Sequence, residues 1–85
     1  MDRAVLLIQC PDRKGIVAKV SSYVFKSDGN IVNSDQYSTD PEGGRFFMRV
    51  EFSFDEHARS RASLEADFAP LADELGATWE MHYAS

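Results

Sequence analysis

Hydrophobic residues in the first part of the chain change their period, and the change predicts a strand followed by a helix. Residues 4–10 carry apolar side chains on both alternations, which is typical of a central strand covered on one face or on both. Pro11 cannot donate to a sheet, so the strand is expected to end by Cys10. From Gly15 the spacing changes to three and four, which predicts a helix that stops at Gly29. Its apolar residues are Ile16, Val17, Val20 and Val24.

The next two predicted strands, residues 30–38 and 45–54, differ in polarity. Residues 30–38 mix apolar with polar side chains, which fits either an open sheet face in solvent or a polar wall beside the preceding turn. Residues 45–54 alternate cleanly, and their apolar side is expected to lie under the helices. That side consists of Phe46, Met48, Val50, Phe52 and Phe54. Residues 39–44, rich in turn formers, predict a hairpin connection.

The last part of the chain predicts a second helix and a closing strand. Apolar residues recur at helical spacing before Gly76, and either Asp55 or Ser60 is expected to cap the start of the helix. The recurring residues are Leu64, Phe68, Leu71 and Leu75. Pro70 lies inside this pattern and predicts a kink or a split into two short helices near residues 68–69. Residues 77–83 then alternate as a strand with one apolar face.

The predicted order of elements, βαββαβ, favours an α+β fold of the ferredoxin-like type. In that arrangement a four-stranded antiparallel sheet carries two helices on one face. An outer strand left unpaired can join a second copy of the chain. Pairing side by side into a homodimer, through sheet edges or helices, is therefore expected.

Composition limits the function classes further. A chain of 85 residues is long enough for one domain with a modest core, but too short for a core and a sizeable enclosed catalytic cleft. A net charge of -5 disfavours nucleic acid and anionic membranes as partners. The single cysteine, Cys10, excludes an internal disulfide and a two-cysteine metal or redox site, and it suits the cytoplasm. No apolar run is long enough to span a bilayer, and no metal site or cofactor is expected.

The turn between the first strand and the first helix is the candidate binding site. A helix N-terminus attracts carboxylate or phosphate groups, and Arg13 and Lys14 add positive charge there. Asp12 is expected to cap the helix, and Gly15 allows close approach of backbone or ligand. An ordinary capped turn that binds nothing explains the same residues.

Two motifs make the chain resemble an ACT domain, a small ferredoxin-like module that commonly binds amino acids. They are Asp12-Arg13-Lys14-Gly15-Ile16-Val17 and Gly29-Asn30-Ile31. Longer segments are similar to the N-terminal domain of the formyltetrahydrofolate deformylases. These segments are residues 10–17, 29–32, 35–36, 44–52 and 67–72, together with Trp79. The resemblance covers nearly the whole chain.

The resemblance implies a role in one-carbon metabolism. The deformylase family hydrolyses 10-formyltetrahydrofolate to formate and tetrahydrofolate, in a formyltransferase-like domain that would follow Ser85. The catalytic residues and the folate site are therefore expected outside this chain, which would be a fragment. His57 and His82 are interpreted as solvent-facing, since no partner groups accompany them.

The resemblance also implies a regulatory ligand, since some family members respond to glycine and methionine. The effector's carboxylate would bind the backbone N–H groups of Lys14, Gly15 and Ile16. Amide side chains of the same chain or of a dimer partner would bind its ammonium group. The candidate residues are Asp12, Arg13, Lys14, Gly15, Ile16, Asn30, Asn33 and Gln36. Many ligand-binding ACT domains have proline where this chain has Lys14, which changes the stiffness and charge of the turn.

Other functions remain open or are disfavoured. Two alternative functions stay open for this domain. It is either a module that only dimerises a hydrolase, or a stand-alone or tandem ACT-type transcriptional regulator. RNA binding is disfavoured because basic charge is scarce. An acylphosphatase would need a glycine-rich anion loop, of which Arg13 and Asn30 are a faint echo. A copper chaperone would need a second cysteine.

Overall fold

The computed structural model describes residues 2–39 and 43–84 and contains the six elements in the predicted order. They are β1 (Asp2–Pro11), α1 (Ile16–Lys26), β2 (Asn30–Ser38), β3 (Arg45–Phe54), α2 (Arg61–Leu75) and β4 (Thr78–Ala84). The α+β, ferredoxin-like fold is thereby confirmed. Of the predicted hairpin connection, residues 40–42 lie outside the described part of the chain.

The four strands form one sheet in the order β2-β3-β1-β4, with every neighbouring pair antiparallel. β1 therefore lies inside the sheet, as its apolar pattern predicts, and β2 and β4 are the edges. β1 ends one residue later than predicted, because Pro11 still pairs with Arg45. A proline is tolerated at the last position of a strand, where the missing donor interrupts no further pairing. Asp12 N–H then donates to Gly44 O at 3.0 Å.

The hydrophobic core lies between the sheet and the two helices. The clean alternation of β3 is confirmed, since Phe52 and Phe54 are completely buried. Tyr23 of α1 meets Phe52 and Phe68 edge-on, with ring centroids 6.4 and 5.0 Å apart. The Tyr23 hydroxyl donates to the backbone oxygen of Leu64 at 2.7 Å, so the buried phenol keeps a hydrogen-bond partner. Its contact links α1 directly to α2.

α1 differs from its prediction on its core face. Val17 is 39% exposed, whereas Tyr23 is buried. The reason is geometric, because a helix of 3.6 residues per turn puts Val17 about 100° away from Ile16. The helix ends at Lys26, before the predicted stop, and Asp28 takes the left-handed conformation with φ 63°.

α2 is one helix from Arg61 to Leu75, so the predicted split at Pro70 is wrong. Phe68 is buried against the sheet, and Ala72 is 2% exposed, so packing on both sides of Pro70 holds the helix together. Ser60 is the N-cap, because its hydroxyl accepts the Ser63 N–H at 3.1 Å. The other candidate cap, Asp55, accepts the N–H of His57 at 2.9 Å in the preceding turn.

β2 is exposed at all of its positions, including Ile31 and Tyr37. It is an edge strand, and the helices leave it uncovered, which explains why its sequence carries no separate apolar face. Its register shifts between Ile31 and Asn33, which makes Val32 the extra residue of a bulge. No helix in residues 2–39 or 43–84 has the length and hydrophobicity to cross a membrane.

Candidate ligand-binding site

The turn from β1 into α1 presents a helix N-terminus that no side chain of residues 2–39 or 43–84 caps. Gly15 is the N-cap residue, with φ 86° in the left-handed region, which favours glycine. The first intrahelical hydrogen bond runs from Lys19 N–H to Gly15 O at 3.0 Å. The N–H groups of the first turn therefore have no carbonyl acceptor within the helix, and that turn contains no acidic residue. Such a terminus can bind a carboxylate through its backbone and its dipole.

Asp12 does not cap α1, which corrects the sequence prediction. Gly15 occupies the cap position, and no side chain in the described part of the chain makes a cap hydrogen bond. Asp12 lies earlier, where its backbone N–H ties the turn to Gly44 before β3.

Arg13 faces α2 and not the open helix N-terminus. Its guanidinium donates to the backbone oxygen of Glu74 at 3.0 Å and lies 3.9 Å from the Glu74 carboxylate. Lys19 forms an ion pair with the same carboxylate. The hydrogen bond and charge of Lys19, with a smaller contribution from Arg13, lower the pKa of Glu74. The charge of Arg13, one of the two cations expected at the turn, is thus already paired within the chain.

The other two residues of the turn contribute unequally. Ile16 is 2% exposed, so its side chain belongs to the core and only its backbone can meet a ligand. Lys14 is exposed, and no hydrogen bond or ion pair joins it to another residue within the described ranges.

The amide residues of β2 do not all meet the turn within one chain. Asn30 lies opposite Ser53, which itself lies opposite Arg3 at the beginning of β1. The turn follows Pro11, at the other end of β1. At about 3.4 Å per residue, this separates Asn30 from the turn by roughly 27 Å along the sheet.

Asn33 and Gln36 lie at intermediate positions on β2. Asn33 is opposite Glu51, and Gln36 is opposite Met48. Gln36 is thus closest to the end of the sheet that carries the turn, but β3 separates it from β1. The polar wall beside the turn, one of the two interpretations of β2, therefore stays a prediction.

Two residues near the turn were missed by sequence reasoning. Lys19 and Glu74 are 55 positions apart, and neither lies in a motif. A charge on a helix surface is usually solvated, so the sequence carried no signal that these two would meet. Only the packing of α1 beside α2 brings them together.

A second concave surface lies on the face of the sheet that the helices leave open. It encloses about 440 Å³ and is lined by residues of all four strands, among them Leu7, Arg49 and Glu80. Tyr37 and Phe47 stack at its edge, with ring centroids 5.0 Å apart and planes at 15°. The sequence analysis did not single out Tyr37.

Comparison with known proteins identifies the fold family. The sequence matches the ACT domain family over residues 4–69. The chain belongs to the ACT domain family. It is 46% identical over 84 residues to formyltetrahydrofolate deformylase of Bacillus subtilis (strain 168), covering 99% of this chain and 28% of that protein.

Two further relatives support the same relationship. Formyltetrahydrofolate deformylase of Synechocystis sp. is 41% identical over 81 residues, covering 95% of this chain and 28% of the relative. The crystal structure of a formyltetrahydrofolate deformylase from Pseudomonas putida KT2440 superposes with a TM-score of 0.82 at 28% identity, over 93% of this chain and 28% of that one. This ACT domain thus spans 28% of the length of the Bacillus subtilis and Synechocystis relatives. The predicted resemblance is confirmed.

The site on this ACT domain offers chemistry for binding. The turn supplies backbone donors and the cation of Lys14, and β2 supplies amides that can accept and donate. His57 and His82 are exposed and lie on different parts of the fold. Within the described ranges, no group of three or more His, Cys, Asp or Glu residues is placed to hold a metal ion.

Proposed function

We propose that this ACT domain is the regulatory and dimerising part of a formyltetrahydrofolate deformylase. The observation that carries the proposal is the 46% identity over 99% of the chain with the Bacillus subtilis deformylase. The attached catalytic domain would hydrolyse 10-formyltetrahydrofolate to formate and tetrahydrofolate in the cytoplasm. The ACT domain itself needs no cofactor for this role, and the folate is handled by the catalytic domain.

A second copy of the chain fits the β2 edge. β2 offers unpaired backbone groups along its outer side, and an exposed edge strand readily pairs with another strand. Exposed apolar side chains also lie on α1, with Phe25 80% exposed and Val17 39% exposed. Ile31 and Val32 of β2 are also exposed. Antiparallel pairing of two β2 strands would cover these groups together.

This pairing also completes the proposed ligand site. If two β2 strands pair about a centre at Ser34, Asn30 of the partner subunit lies opposite Ser38. Ser38 pairs with Phe46, and Phe46 pairs with Cys10, so this position is at the end of the sheet that carries the turn. An effector's carboxylate would bind the N-terminus of α1, and Asn30 of the partner subunit would bind its ammonium group. The distance that separates Asn30 from the turn within one chain supports a shared site.

A domain exchange tests the regulatory role. The ACT domain replaces its counterpart in the Bacillus subtilis deformylase, and formate release is measured with and without glycine or methionine. We expect either amino acid to change the rate about 5- to 150-fold, the range typical of allosteric coupling. The matched control carries Gly15→Pro, which removes an N–H and forbids the φ of 86°. An unregulated chimera that dimerises normally would contradict amino-acid sensing.

Assembly without sensing is the second candidate function. It is favoured by the engagement of Arg13 with Glu74, which removes a cation from the site. Isothermal calorimetry of the ACT domain with glycine and methionine at millimolar concentration separates the two candidates. Heat of binding and a raised thermal midpoint indicate sensing, and their absence from a dimeric protein indicates assembly alone.

A further inference from the structure

We propose that Glu74 is a built-in competitor of the carboxylate effector. This proposal rests on the proposed function, because it concerns regulation of the same site. We call the contacts of the Glu74 carboxylate with Arg13 and Lys19 the Glu74 bridge. It joins the last turn of α2 to Arg13, two residues before the N-cap Gly15, and to Lys19, the fourth residue of α1. An effector that recruits Arg13 or Lys19 must first displace this internal carboxylate.

The geometry of the bridge favours exchange over a permanent lock. The side chains of Arg13, Lys19 and Glu74 are 46%, 45% and 52% exposed, so water and small anions reach all three. An exposed ion pair contributes little to folding, and an external carboxylate can replace it at little cost. Arg13 also donates to the backbone oxygen of Glu74, so its release would free the turn from the end of α2. Binding at the turn would thereby change the contact between two helices.

The test compares the unaltered domain with Glu74→Gln and with Asp73→Asn. Asp73 is the neighbouring exposed acid on α2, and its replacement removes the same charge without touching the bridge. Affinities for glycine, methionine and acetate are measured by NMR titration of the amides of residues 13–19. We expect Glu74→Gln to bind each ligand about two- to fivefold more tightly, and Asp73→Asn to bind unchanged. Adding Arg13→Met to Glu74→Gln should remove the gain.

The three probes separate failure of this proposal from failure of amino-acid sensing. Acetate carries the carboxylate but no ammonium group, so it reports on the anion contact alone. If neither amino acid binds while Glu74→Gln binds acetate more tightly, the competitor role stands and sensing fails. If Glu74→Gln binds acetate no more tightly than the unaltered domain, or if Asp73→Asn gains equally, the competitor role is overturned. A lack of any acetate response in all proteins overturns it as well.

Discussion

Gly29 lies against Phe52 so closely that a Cβ atom on Gly29 would be 3.0 Å from the ring carbon Cδ2 of Phe52. The same Cβ would be 3.1 Å from Val24 Cγ1 and 3.2 Å from the backbone oxygen of Ser53. Glycine is therefore required at position 29, where the chain passes from α1 back to the sheet. The reason is that no space is left for a side chain, and not that the backbone is left-handed. Its N–H donates to Val24 O at 2.9 Å and completes the end of the helix, with Asp28 in the left-handed position.

We expect Gly29→Ala to lower the free energy of unfolding by about 1–3 kcal/mol, because the methyl group overpacks a filled site. Gly29→Val should cost more, since its side chain is larger. Urea denaturation measures both. Gly15 provides the contrast, because a Cβ there meets nothing within 4 Å and only φ 86° opposes substitution. At Gly15, asparagine should be tolerated better than alanine. At Gly29, equal losses of unfolding free energy for alanine and valine would contradict the packing argument.

The buried hydroxyl of Tyr23 gives a second prediction about stability. Removing it in Tyr23→Phe leaves the backbone oxygen of Leu64 without the donor that lies 2.7 Å away. We expect a loss of about 0.5–1.5 kcal/mol in the free energy of unfolding from the lost hydrogen bond, because Leu64 O lies inside α2 and keeps its intrahelical donor. Tyr37→Phe is the matched control, because Tyr37 is 62% exposed and its change should be near zero. Equal midpoints for the two variants in urea would show that this hydrogen bond contributes nothing.

Tyr23 also predicts how stability depends on alkaline pH. Burial is the main cause that raises the pKa of Tyr23 from 10.0 to about 12. Because the pKa is higher in the folded state, the stabilising contribution of the protonated phenol is complete below pH 10 and is lost as pH rises toward 12. We expect the stability difference between the unaltered domain and Tyr23→Phe to shrink over this window. Denaturation at several pH values measures it, and a constant difference from pH 9 to pH 12 would contradict the assigned burial.

The sequence predicted the fold well because its strongest signals were periodic. The alternation of residues 45–54 reappears as buried Phe52 and Phe54, and the order of the elements is as expected. Errors arose at the ends of elements, where a single hydrogen bond determines which residue caps the helix. Asp55 and Ser60 are both plausible caps by residue type, and only the bond from Ser63 N–H to Ser60 Oγ distinguishes them.

The candidate site was harder to predict because it depends on contacts between distant segments. The turn motif located Gly15 at the start of α1 correctly. No local pattern indicated that Arg13 would turn toward Glu74, which lies 61 positions away. Nor could the motif show that Asn30 lies at the far end of the sheet, because the position of β2 follows from its pairing with β3. The ligand contacts therefore stay predictions.

Phe25 is predicted to lie in the contact between two copies of the domain. It is 80% exposed near the end of α1, which a short turn joins to the edge strand β2. A large aromatic side chain that becomes buried in an interface often contributes more than 1 kcal/mol to binding. We therefore expect Phe25→Glu to weaken self-association at least about tenfold, while the thermal midpoint measured at low concentration stays unchanged. Analytical ultracentrifugation over a concentration series measures the association.

The matched control is His82→Glu, which places the same charge on an exposed position of β4, the opposite edge strand. Because the proposed contact uses the β2 edge, His82→Glu should associate like the unaltered domain. If His82→Glu dissociates and Phe25→Glu does not, the two copies meet through β4.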